Sequence, residues 1–108
     1  MIQWYWKLYR GDGKPAVYNR IIRDIRRGNF RTEAYVIALA ANESDQFDLF
    51  PASMLLQSFY QNCEIRIIGV AENRAEAVEL VRRIMQDTYN ATGGANARAR
   101  FRAEDFST

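Results

Sequence analysis

Residues 2 to 9 alternate along the chain: Ile2, Trp4, Trp6 and Leu8 fall on one side, Gln3, Tyr5, Lys7 and Tyr9 on the other. A period of two with this many aromatics predicts a strand with one buried face, placed at a sheet edge or with its other face open. Gly11-Asp12-Gly13 then breaks the pattern as a turn. From Pro15 the period becomes helical. Val17, Tyr18, Ile21, Ile22 and Ile25 share one side, with Arg20, Arg23, Arg26 and Arg27 on the other. Pro15 suits the first helical position and Gly28-Asn29 the stop, so the spacing predicts a helix over 15–27.

Glu33 to Ala41 is a continuous apolar run, which reads as a strand covered on both faces. Residues 42–50 read as a polar, acidic connection, and Pro51 opens a short helix ending near Gln61-Asn62. Cys63 to Ala71 is a third strand. Asn73 followed by Glu76 has the spacing of a capping box and starts a helix that runs to Thr92 before Gly93-Gly94. Its inward side is predicted to carry Val78, Val81, Ile84 and Met85, and Glu79 and Arg83 stand at the spacing of an ion pair on its solvent side. From Ala97 to Ala103, alanines and Phe101 alternate with Arg98, Arg100 and Arg102. Two readings fit that segment: an edge strand with a charged outer face, or a disordered tail.

The order is strand, helix, strand, helix, strand, helix and a final optional strand. That order predicts an α/β (or α+β) fold: a small sheet of three to four mostly parallel strands with three helices. The expected organisation is a single domain over residues 1–103, with 104–108 frayed.

Composition narrows the chemistry. The chain has 108 residues, 48% hydrophobic, with one cysteine and no histidine. One cysteine excludes an internal disulfide and a multi-cysteine zinc site, and Cys63 reads as a small buried hydrophobe. The absence of histidine removes Ser-His and Cys-His pairs and imidazole metal ligands. The N-terminal residues lack the order of a signal peptide and no apolar run approaches membrane-spanning length, which points to a cytoplasmic protein with no membrane partner.

Charge is unevenly placed. Residues 1–31 carry eight basic side chains against two acidic ones, a net +6, and residues 32–90 carry four arginines against nine acids, a net −5. A basic helical face opposite an apolar one is the pattern of phosphate-backbone binding. It is equally the solvated side of an amphipathic helix, or a surface for an acidic neighbour. The candidate ligand-binding residues are therefore Gly11, Gly13 and Lys14, between a strand and a helix N-terminus, together with Arg20, Arg23 and Arg27. The loop is no Walker motif: Leu8 stands where its first glycine belongs and Pro15 where its hydroxyl belongs. Glu43, Asp45 and Asp48 have oxygen ligands for a cation but lack the order and central glycine of a calcium loop.

No catalytic constellation, metal site or cofactor motif emerges. The broad apolar spread of Met54, Leu55, Leu56, Phe59 and Tyr60, added to Trp4, Tyr5, Trp6 and Tyr9, favours a homo-oligomer or another protein partner. Three functions fit, in this order: a non-enzymatic protein-binding or self-assembling module; a nucleic-acid or phosphate-ligand binder using the basic first helix; a small enzyme working with carboxylates and arginines.

Overall fold

The largely apolar stretch Ile65–Ala71 forms the central strand of the sheet, where both of its faces are covered. The computed structural model describes residues 1–40 and 45–108. Among them the chain forms β1 (Ile2–Arg10), α1 (Pro15–Arg26), β2 (Tyr35–Leu39), β3 (Phe47–Pro51), α2 (Ser58–Gln61), β4 (Ile65–Ala71), α3 (Arg74–Thr92), α4 (Ala97–Arg100) and β5 (Phe106–Ser107). A 3-10 turn at Ala52–Leu56 precedes α2. The strands form one sheet in the order β3-β2-β4-β1-β5.

Only β1 and β4 run parallel; every other neighbouring pair is antiparallel. The fold is thus α+β with a mixed sheet of five strands and four helices among the described residues, and the expectation of a mostly parallel sheet with three helices does not hold. Two segments account for the difference. The stretch read as an acidic connection contains β3, whose Phe47 and Leu49 join the apolar cluster on one sheet face while Phe50 joins the other. The arginine-alanine alternation is α4, not a strand. Asn96 caps it by accepting the Arg98 N–H at 3.1 Å, and Ala97 and Phe101, four residues apart, are both buried on one side. The final strand comes later, in the segment expected to fray: Phe106 pairs with Tyr5 and Ser107 with Trp4.

α1 and α3 lie on opposite faces of the sheet. Under α1, Tyr18, Ile21 and Ile25 pack with Trp4, Val36, Ile67 and Val70. Under α3, Ala77, Leu80 and Ile84 pack with Tyr5, Ile37, Ile68 and Phe101. One extra residue in β4 opposite β2, at Ile68, shifts the alternation, so that Ile65, Ile67 and Val70 all reach the α1 side. Gly69 follows that bulge because a Cβ there would come within 3.2 Å of both Leu80 Cδ2 and Tyr9 Cβ.

β1 is more irregular than its clean alternation suggests. Trp4 pairs with Ile67 and Tyr9 with Gly69, so the intervening residues of β1 outnumber those of β4 by three. The excess is pushed outward, and Trp6 is 71% exposed instead of joining Trp4 in the core. α3 is turned slightly from the expected face. Ala77, Leu80, Ile84 and Thr88 are buried, whereas Val78 is exposed. Glu79 pairs with Arg82 at 2.9 Å, and Arg83 reaches Asp12 at 3.1 Å. Among the described residues no helix is long and apolar enough to cross a membrane.

Candidate functional site

β1 and β4 are adjacent and parallel, and the helices that follow them go to opposite faces. In open sheets this arrangement places a crevice at the carboxyl ends of the two strands, where ligands are commonly held. Gly11, Gly13 and Lys14 lie there, beside the N-termini of α1 and α3. The crevice is closed from within. The Gly13 N–H donates to the Tyr18 hydroxyl at 2.8 Å, and that hydroxyl donates to Glu76 Oε1 at 2.8 Å. The same carboxylate oxygen accepts the Glu72 N–H at 2.9 Å, while the Glu76 N–H donates to Asn73 Oδ1 at 2.9 Å. Glu76 therefore sits in the first turn of α3, where the helix dipole favours negative charge.

The two glycines are there for space. A Cβ on Gly11 would lie 1.9 Å from Glu76 Oε1, and one on Gly13 would lie 2.8 Å from the Tyr18 hydroxyl. The sequence signal for this latch was visible in Asn73 and Glu76. The long-range partner, Tyr18, was not, because its place on the apolar side of α1 marks it only as core.

Arg20 and Arg23 are exposed and share a shallow depression with Ala16, Val17 and Asn19; Gly11, Gly13 and Lys14 do not line it. Arg27 lies at the C-terminal end of α1, a turn beyond. Among the described residues none of the three forms an ion pair. The candidate ligand residues thus fall into a closed loop and an open cationic face, not one pocket. Of the acidic trio, Glu43 lies outside the described residues; Asp45 is exposed and Asp48 sits in β3. No group of three or more metal-ligating side chains occurs among the described residues. Cys63 is half-buried just before β4, and its carbonyl accepts the N-terminal ammonium at 2.8 Å.

An exposed apolar surface surrounds α2. Phe59 is 61% exposed and Leu56 48%, with Met1 also exposed nearby in the fold. The half-buried Tyr60 stands between two hollows. One, of about 560 Å³, is lined by Ile2, Trp4, Phe30, Leu55 and Tyr60, with the Arg26 guanidinium 5.1 Å from the centre of the Trp4 ring. The other, of about 440 Å³, lies towards Phe50, Phe59 and Cys63 and is also bordered by charged residues, Glu64, Arg66 and Arg98 among them. Protruding apolar side chains, one mainly apolar hollow and one of mixed lining thus share one surface.

Neither a family model, nor a curated protein, nor a solved structure matches this chain, so the geometry alone carries the functional argument.

Two tyrosines are held well away from their ordinary ionisation. Burial, then the hydrogen bond to Glu76, pushes the Tyr18 hydroxyl up from 10.0 to about 12. Burial and the bond to Asp87 do the same for Tyr9, partly opposed by Arg100. Neither phenol is therefore a base near neutral pH. Below the ordinary value both are neutral in folded and unfolded chains alike. Between about pH 10 and about pH 12 the unfolded chain ionises them while the folded chain does not, so their stabilising effect is lost through that window. Ultraviolet absorbance titration of the native protein should show two of its six tyrosines ionising late. Denaturant midpoints should fall as pH rises through the same range.

Proposed function

We propose that this protein is a non-enzymatic interaction module that self-associates through the surface around α2. The observation supporting it is the adjacency of exposed Leu56 and Phe59 to the two hollows flanking Tyr60, of which the one at Trp4, Phe30 and Leu55 is mainly apolar. Contiguous exposed apolar surface marks an interaction site. A surface that carries both the projections and the hollows can pair with a second copy of itself across a two-fold axis, because each protomer offers what the other needs. The occupant is a second copy of this chain, and residues at the centre of such a contact carry most of its energy.

Phe59→Glu puts a charge where the proposed contact is driest. It should raise the dimer dissociation constant at least tenfold, about 1.4 kcal/mol, as read by sedimentation velocity over a concentration series. The comparison protein is the triple variant Arg20→Ala, Arg23→Ala, Arg27→Ala, which should leave association unchanged. If the triple variant dissociates and Phe59→Glu does not, the basic face of α1 is the contact and the α2 reading fails.

A further inference from the structure

The irregular stretch of β1 builds a second feature, distinct from the α2 surface. Trp6, Lys7 and Leu8 have no pairing partner in β4 or β5. On the α3 side of this bulge lies a cavity of about 290 Å³, bordered by the cationic residues Lys7, Arg10, Arg83 and Arg100. One carboxylate, Asp87, lines it with them.

The way these cations are held matters more than their number. Arg100 donates to the Ile84 carbonyl at 3.2 Å, to Thr88 Oγ1 at 3.1 Å and to the Tyr9 hydroxyl, all neutral acceptors. Tyr9 in turn donates to Asp87 at 2.7 Å, which keeps that carboxylate occupied by a phenol. The Arg10 guanidinium turns to the other face, where it donates to Asn19 Oδ1 on α1 at 2.9 Å, so Arg10 borders the cavity without aiming its charge into it. Arg83 is steered by Asp12, whose side chain is 91% exposed, and by the Arg10 carbonyl at 3.4 Å. Among the described residues, Lys7, Arg10 and Arg100 have no carboxylate partner at all. Arg100 is thus fixed by neutral acceptors alone, beside a lysine with no carboxylate partner and an arginine paired with one exposed carboxylate.

We infer that this cavity binds a small phosphoryl dianion, either free phosphate or a phosphomonoester. Guanidinium groups match the spacing of phosphate oxygens and bind them as forks, while a lysine adds a mobile point charge at the rim. The volume lies at the lower end of ligand pockets, which suits a single phosphoryl group with a small substituent. Lys7, Arg83 and Arg100 against Asp87 and the Asp12 that pairs with Arg83 leave the cavity with a net positive charge at neutral pH. Bulges in strands commonly re-aim side chains beside a site, and here the bulge carries Lys7 to the cavity rim.

The test is isothermal titration calorimetry with inorganic phosphate and with phenyl phosphate, at constant ionic strength maintained with sodium chloride. Both probes should give saturable binding to the wild-type protein. Tighter binding of phenyl phosphate identifies a phosphomonoester site, and equal or weaker binding identifies a phosphate site. Lys7→Ala combined with Arg83→Gln changes two exposed residues and should weaken both probes at least tenfold. Arg23→Ala, on the opposite sheet face, should have no effect. No saturable heat from either probe would overturn the inference, as would equal losses in the double variant and in Arg23→Ala.

Discussion

Ile84→Ala should lower the unfolding free energy by about 2–5 kcal/mol. Ile84 is completely buried at the middle of α3, among Leu80, Ile68 and Phe101. Truncation there removes apolar contacts and leaves a hole that the sheet beneath cannot close, because β4 is pinned by strands on both sides. A loss of that size is a large part of the stability of a small protein. The control is Glu79→Ala on the same helix. Glu79 is 68% exposed and pairs only with Arg82 across one turn, so its loss should cost less than about 1 kcal/mol. Urea titration reads both, as a shift in midpoint at constant slope. Equal effects would mean that α3 presents a different face to the sheet.

Tyr18→Phe should be the next most damaging change, at about 1–3 kcal/mol. The ring stays and the packing with Ile21, Ile25 and Val36 survives; only the hydroxyl is lost. That hydroxyl both accepts from Gly13 and donates to Glu76, and it is the link between the β1–α1 loop and the start of α3. Without it, a loop N–H and a carboxylate oxygen lose a partner at a site that is 1% exposed at Tyr18. The same variant should remove one of the two late-ionising tyrosines from the absorbance titration. A stable Tyr18→Phe protein that keeps both late transitions would show that the latch does not join these elements.

Much of this architecture was legible in local pattern. α1 was readable from Pro15 and its isoleucine spacing, α3 from Asn73, Glu76 and Gly93, and β4 from Ile65, Ile67 and Ile68, because each signal lies within one element. The misread segments are those where tertiary contact overrides local pattern. The alternation in β1 places Trp6 with Trp4, yet a bulge set by its pairing with β4 expels it. The arginines of α4 looked like the outer face of a strand, but Arg100 is bound by groups on α3 and β1. The acids flanking Phe47 and Leu49 masked a strand that only its neighbour β2 makes evident. The cationic cavity was illegible for the same reason: Lys7, Arg83 and Arg100 come from three elements and meet only once the sheet has formed.

The central claim is that the α2 surface pairs two copies of this chain. Sedimentation equilibrium on the wild-type protein tests it most directly, with concentration varied over two or more decades and repeated in high salt. The predicted result is a reversible shift from the 12.5 kDa monomer towards twice that mass. High salt should strengthen or preserve it, because apolar contacts are not screened. A protein that stays at the monomer mass across the whole range, in both salts, would contradict the account.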